Sequence, residues 1–476
     1  MSEHHRPRFH VRTATGWIND PNAPIQVDGR YHLFCQHNPG AAEHGEIHWA
    51  HFSSADLVHW TTHPIALRPR AGGPDADGCW SGSAVVVDGE LLLLYSGKVG
   101  AAEVLPVCLA HPSPSGEQWV ADAEPVMAEP PESGDLAMFR DPFLWVTADG
   151  FRMLVGAGYR DGTGAALLYQ SSDLRSWEPL GPLCTAAHPA FDAYDTGDGW
   201  ECPQLVRQGG RGVLVLSIWR QPGLTDHVAF VSGALNGDRL TPEVVGRFDH
   251  GPDFYAPALT VDGDGRCLLW GWSWEARNQA LADADGWAGV LTAPRLVVIA
   301  ADGTPRMVPA PEVAALRGAS HSADLILAPG ERRMLDETAG RCLDLEVRLV
   351  PGSDGRAWVR LLAHSDGTEH TEVGVDAATH EVYLSRDRSS SDPGSYGGTY
   401  RMPVDLDAGG GVDLRVLLDA SIVEVFAGDG HAMTARVYPR SRDSIGLYAG
   451  VDSTPGGVDV RWWTIETAGR ITAPET

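Results

Sequence analysis

Between residues 8 and 300 the chain is a succession of short apolar runs broken by turn residues. RYHLFCQ (30–36), SAVVVDGELLLLYSG (83–97), FRMLVGAG (151–158) and CLLWGWSW (267–274) have strand length. Tight turn pairs follow or split several such runs: Asp28-Gly29, Asp88-Gly89, Asp149-Gly150 and Asp264-Gly265. A turn dipeptide between two apolar runs is a strong hairpin signal. Helical periodicity is scarce, so the pattern predicts hairpin after hairpin. Near residue 310 the texture changes. PAPEVAALRG (309–318) is bounded by Pro, rich in Ala and Leu and closed by Gly, which predicts a short helix. Beyond it the runs alternate with period two: CLDLEVRLV (342–350), AWVRLLA (357–363), VDLRVLLD (412–419), SIVEVFA (421–427) and VDVRWWTI (458–465). These predict an antiparallel β-sandwich. DRSSSDPGSYGG (387–398) reads as a polar loop.

A repeat organises the first part. WINDP (17–21), CWSGS (79–83), FRDP (139–142), WECP (200–203) and FYAP (254–257) recur about every 60 residues, a period typical of radial or stacked architectures. A second landmark follows two of them: SSADLVHW (53–60) and SSDLRSW (171–177) share Ser, Asp-Leu and Trp in the same order. Four strands with turns fill such a period, which is one propeller blade. The expected class is all-β: a five-bladed β-propeller over residues 1–310, a linker with a short helix over 311–322, and a C-terminal β-sandwich over 323–476.

Composition narrows the function. The 476 residues carry a net charge of −27, which repels phosphate backbones and excludes nucleic acid as a partner. No apolar run approaches the ~20 residues that span a bilayer. The N-terminus shows no apolar signal region, and the seven cysteines are scattered and odd in number. Together these read as a cytoplasmic protein without a disulfide framework. No CxxC pair is present, and His48 and His51 fall on opposite sides of a strand, so no metal site is expected. No nucleotide fingerprint occurs and no cofactor is expected. The sequence is silent on oligomeric state.

Three repeats carry a carboxylate: Asp20, Asp141 and Glu201. In a closed ring the first strands line the central channel, so these acids meet. Cleaving a glycosidic bond needs one carboxylate at the anomeric carbon and one protonated carboxyl at the leaving oxygen. Crowding separates their pKa values. Arg140 is expected to keep its neighbour Asp141 charged.

These motifs closely resemble glycoside hydrolase family 32, the β-fructofuranosidases. WINDPNA (17–23), FCQHNP (34–39), CWSGSA (79–84), FRDP, WECPQL (200–205), DFYAP (253–257) and GWAGVLTAPRL (286–296) follow the family's order. LRVLLDASIVEVF (414–426) and ARVYP (435–439) resemble its sandwich. The resemblance implies retaining release of terminal β-D-fructofuranosyl units from sucrose or short fructo-oligosaccharides. It makes Asp20 the nucleophile that forms a fructosyl-enzyme, Glu201 the acid/base and Asp141 the transition-state stabiliser, helped by Arg140. Trp17, Asn19, Gln36, Trp80 and Ser81 would bind the fructosyl ring. The partner expected is therefore a small β-fructoside. Sucrose 6-phosphate, levan or inulin, and transfer in place of hydrolysis are rivals within the enzyme class. An arabinan- or xylan-cleaving relative is a further enzymatic reading, and a lectin-like propeller is the rival outside the enzyme class.

Departures from the family pattern concentrate where substrate choice is expected. Ala23 replaces a Gly, which matters only if that position takes a positive φ. Gln204 stands where many relatives have Asp and is expected to affect the acid/base or the leaving-group preference. His44 stands where secreted relatives have Trp. Trp272 and Trp274 are either sugar walls or core. Cys202 is expected to tune the acid/base without being a nucleophile. Glu424 is placed on the sandwich surface, with the domain cleft as the alternative.

Overall fold

The structure, a computed structural model, describes residues 3–465 apart from 115, 117, 132 and 222. Residues 1–2 and 466–476, assigned above to the two ends of the propeller and sandwich, lie outside the described residues. Five antiparallel sheets of the first part each begin at one of the repeated motifs. Their first strands are Gly16–Val27, Gly78–Val87, Leu136–Thr147, Gly199–Gln208 and Tyr255–Val261. The ring closes through Trp287–Ala288, which leaves the fifth sheet and pairs in parallel with Gly16 and Trp17 of the first.

The motifs recur because each makes the same backbone device. Against its neighbour, every first strand inserts one extra residue at the motif. The paired residues jump from Ile18 to Pro21, Cys79 to Gly82, Arg140 to Phe143, Glu201 to Gln204 and Tyr255 to Ala258. Such a β-bulge leaves its residues out of the ladder and bends the strand, which re-aims side chains. At Asp141, Cys202 and Ala256 the bulge takes a positive φ, at 68°, 46° and 45°. Ala23 also sits at φ 48°, in a second irregularity of the first strand. Its methyl group therefore occupies a conformation that glycine adopts without strain.

The second landmark is also physical. Asp56 Oδ1 accepts from the backbone of Val58 and His59, and Asp173 Oδ1 accepts from Arg175 and Ser176. Leu57 and Leu174 then take positive φ, and the indoles of Trp60 and Trp177 donate to their carbonyls. One Asx turn with a Trp brace thus joins the third and fourth strands of two blades.

The segment predicted as a short helix is a 3-10 helix at Pro311–Leu316. Two six-stranded antiparallel sheets follow. Leu343, Leu345, Val347 and Leu349 point into the core between them, Glu346 and Arg348 alternate outward, and Asp344 is buried on that outer side under Arg317 and Arg415. The alternation fails at Ile422–Ala427, where every residue is buried. One face of that strand packs in the sandwich core and the other meets the propeller.

Glu424 is on that second face, so its expected surface position is corrected: its side chain is 0% exposed. Arg295 reaches it with Nη2 at 2.5 Å and Nε at 3.0 Å, and holds Asp249 through Nη1 at 2.7 Å. Glu424 Oε1 also meets His10 Nε2 at 2.8 Å, while His10 Nδ1 meets Asp419 at 2.9 Å. Burial alone would lower the pKa of His10, but the two carboxylates outweigh it and raise it to about 9. A charged network therefore ties the N-terminal segment, the propeller and the sandwich together. Among the described residues no helix is long and apolar enough to cross a membrane.

Candidate active site

Eight of the nine predicted site residues line one cavity of about 390 Å³: Trp17, Asn19, Asp20, Gln36, Trp80, Arg140, Asp141 and Glu201. The ninth, Ser81, sits just behind and donates to Asp20 Oδ2 at 2.6 Å. The bulges bring these side chains together from different blades.

Asp20 is held as an acceptor. Ser81 and Gln36 donate to Oδ2, at 2.6 and 3.1 Å, and Asn19 donates to Oδ1 at 3.1 Å. Gln36 in turn donates to Ser81 Oγ at 2.6 Å, so the donors are themselves fixed. Burial pushes Asp20 up to about 6, the bonds from Ser81 and Asn19 pull it down, and the charge of Glu201 adds to the rise. Cys202 lies between the two aspartates, its Sγ 3.7 Å from Asp20 Oδ2 and 3.6 Å from Asp141 Oδ2. Its thiol is pushed far up by burial and by the acids around it, so it stays protonated.

The charge of Arg140 lowers the pKa of Asp141 as expected, but its hydrogen bonds go elsewhere. Its guanidinium donates to Glu201 Oε1 from Nε at 3.0 Å and pairs with Glu103 through Nη1. Asp141 is instead held by backbone: Cys202 N–H donates to its Oδ2 at 3.1 Å, and its own N–H donates to Ser96 Oγ at 2.8 Å. Burial raises Asp141 above the usual carboxylate range, the charges of Glu201 and Asp20 add to the rise, and Arg140 offsets part of it. The bulge sends the Arg140 guanidinium towards Glu201 and Glu103. The three acids occupy three different places in the bulge: Asp20 matches Ser81 and Pro142, Asp141 matches Asn19, and Glu201 precedes the bulged residues. Glu201 pairs at the position of Arg140 and Tyr255, and Cys202 takes the place of Asp141.

Glu201 Oε2 lies 2.6 Å from the Tyr255 hydroxyl, which is also 2.8 Å from the Ile218 carbonyl. Tyr255 has one proton for two acceptors. A protonated Glu201 satisfies both contacts by donating to Tyr255, which then donates to Ile218.

His44 stands between Trp17 and Trp80, with ring centroids 6.5 and 5.8 Å apart, and lines the cavity. Burial lowers its pKa, which favours the neutral ring. Trp272 lines the cavity, whereas Trp274 donates to Asp253 at 3.0 Å behind Tyr255. Gln204 is buried away from it. Gln204 accepts from Leu259 N–H at 3.0 Å and donates to the Pro203 carbonyl, so it staples the fourth blade to the fifth. Sequence reasoning missed Glu103, Trp219, Gly223 and Thr225, which also line the cavity. They lie outside the repeated motifs, so no periodic signal marks them. Among the described residues no His, Cys, Asp or Glu cluster is arranged to hold a metal ion.

Comparison with known proteins gives a consistent picture. The description "Glycosyl hydrolases family 32 N-terminal domain" matches residues 10–311, and "Glycosyl hydrolases family 32 C terminal" matches 312–464. The chain is 31% identical to a sucrose-6-phosphate hydrolase of Zymomonas mobilis, covering 98% of this chain and 94% of that one. It is 32% identical to a raffinose invertase of Escherichia coli, covering 93% and 92%. A mutant β-fructofuranosidase of Bombyx mori, solved in complex with sucrose, superposes with a TM-score of 0.80 at 27% identity, covering 99% and 96%.

Proposed function

The chain belongs to glycoside hydrolase family 32, and on that premise we propose that Asp20, Glu201 and Asp141 carry a retaining cleavage of β-fructosides. The protein is a glycoside hydrolase acting on β-fructosides. The observation that carries the residue roles is the contrast between two carboxylates. Asp20 faces three donors, which suit an ionised acceptor, while Glu201 faces the two-acceptor contact at Tyr255, which suits a protonated donor.

In the first step an Asp20 oxygen bonds to the anomeric carbon as the bond to the leaving oxygen breaks. Glu201 gives its proton to that oxygen. The developing oxocarbenium charge is met by Asp20, and Asp141 holds ring hydroxyls. In the second step Glu201, now ionised, takes a proton from water. The water oxygen bonds to the anomeric carbon and Asp20 departs. Trp17, Asn19, Gln36 and Trp80 frame the fructosyl ring, and Ser81 supports Asp20 from behind.

Asp20 must be ionised to attack, so activity falls as pH drops through its raised value of about 6. Ser81→Ala removes a hydrogen bond to the ionised form and raises that value further. The acidic limb of kcat/KM is expected to move up by about one pH unit, the scale of one charge-assisted hydrogen bond. A pH–rate profile checks it, and an unmoved limb rules out Asp20 as the group that sets it.

We propose further that the leaving sugar is not phosphorylated. The described lining carries four carboxylates, Asp20, Glu103, Asp141 and Glu201, against Arg140, which two of them already occupy. A phosphate would meet surplus negative charge and, among the described lining residues, no Arg or Lys but the Arg140 already shared by Glu103 and Glu201. Sucrose is expected to exceed its 6-phosphate in kcat/KM by roughly tenfold or more, about 1.4 kcal/mol. Preference for the 6-phosphate in a competition assay would reverse this reading. The proposal extends to compartment. Seven unpaired cysteines suit a reducing cytoplasm, and activity recovered outside fractionated host cells would contradict it.

A further inference from the structure

The cavity wall holds a fourth carboxylate that the steps above do not use. Glu103 lies between strands Glu90–Lys98 and Val107–Pro112, where the second blade meets the third. Its backbone is pinned to the third blade: Phe139 N–H donates to the Glu103 carbonyl, and Leu105 N–H to the Phe139 carbonyl, each at 2.9 Å. Glu103 is thus set one residue away from Arg140.

Its carboxylate joins two cations. Oε2 accepts from Arg140 Nη1, and Oε1 accepts from Lys98 Nζ at 3.1 Å. Lys98 is the single lysine of the chain. It is 9% exposed, and its ammonium lies 4.5 Å from the centre of the Trp80 ring and donates to the Ala102 carbonyl. On the other side of Arg140, Nε and Nη2 reach Glu201 Oε1 at 3.0 and 2.9 Å. The result is a row in which cations alternate with carboxyl groups: Lys98, Glu103, Arg140, Glu201.

A buried guanidinium that served Glu201 alone would strongly favour its ionised form. A proton donor needs the opposite. A second carboxylate on the same guanidinium offsets much of that field while leaving the hydrogen bonds in place. We infer that Glu103 is a positioning residue: it shares Arg140 with Glu201, so that Arg140 orients Glu201 without stripping its proton. The inference rests on Glu201 being the proton donor. Glu103 can act this way because it stays charged. Burial would raise it, but Arg140 and Lys98 outweigh burial and hold it below the usual carboxylate range. The other charged or titratable groups facing Glu201 are Asp20, Asp141, Cys202, Tyr255 and His44. Those facing Glu103 are Arg140 and Lys98.

Glu103→Gln keeps the shape and removes the charge. The basic limb of kcat/KM on sucrose, which reports the acid of the free enzyme, is expected to fall by about one pH unit. KM at the optimum should change less than about twofold, since Arg140 keeps its place. Glu103→Asp, which keeps the charge, is expected to return the limb towards the parent value. A parallel profile with 4-nitrophenyl β-D-fructofuranoside separates the two assignments, because that leaving group needs no proton. If the parent's basic limb persists with it, Glu201 is not the donor and the role of Glu103 falls too. If the limb vanishes there yet ignores Glu103→Gln on sucrose, the role of Glu103 alone is refuted. A rise in KM with an unmoved limb also refutes it, and makes Glu103 a sugar contact.

Discussion

Asp20→Asn is expected to lower kcat on sucrose by roughly 10⁴-fold or more, the scale on which nucleophile removal acts when other binding contacts survive. Glu201→Ala is expected to cost about 10²–10⁴-fold, the range of general acid catalysis. The two should separate on a substrate with an activated leaving group. With 4-nitrophenyl β-D-fructofuranoside, Glu201→Ala regains its first step and accumulates fructosyl-enzyme, whereas Asp20→Asn stays inactive. Folding gives an independent check. Asp20 has a folded pKa above its unfolded value of 3.8. The native state therefore binds the proton more tightly and loses stability as pH rises from that value through about 6. Removing the charge relieves that cost, so Asp20→Asn should melt no lower than the parent at pH 7. Near-normal turnover in either variant, or a much lower melting temperature for Asp20→Asn, contradicts the assignment.

The second large effect concerns the joint between the two parts. Arg295→Ala would leave Asp249 and Glu424 buried, with Thr434, His10 and backbone N–H groups as their remaining partners. Breaking one partner out of a fully buried pair costs about 3–5 kcal/mol, because the remaining charge has no water to turn to. Denaturant unfolding should show a loss of that size in the transition that opens the joint between the two parts. A loss under about 1 kcal/mol would mean that water reaches the carboxylates, as at exposed pairs. Glu424→Gln should cost less than Arg295→Ala, because a neutral amide still accepts from Ala293 and leaves only His10 and Arg295 to readjust.

The strand pattern was legible because hairpins announce themselves locally, through Asp-Gly pairs and apolar runs. The ring was legible because one bulge needs similar residues each time, which the repeats spell out. The same logic explains the failures. Glu424 was misplaced because alternation assumes one solvated face, and the propeller covers that face. Arg140 acts on its neighbour Asp141 through charge as expected, but the bulge sends its hydrogen bonds to Glu201 and Glu103, which the sequence did not show. Gln204 was read as a modifier of the acid, yet it bonds the next blade, a contact between residues 55 positions apart. Glu103 carried no signal at all. It gains its meaning only when Phe139 fixes its backbone beside Arg140.

The bulge shared by the five blades has a consequence for how such a site can change. A fructoside has no fivefold symmetry, so a symmetric frame must offer unlike groups around one axis. A residue in a regular strand is constrained by the partner across the ladder. A bulged residue lacks that partner, so Asp141, Cys202 and Ala256 can occupy one backbone position with no pairing lost. The frame can therefore stay constant while the chemistry at its centre is exchanged one blade at a time.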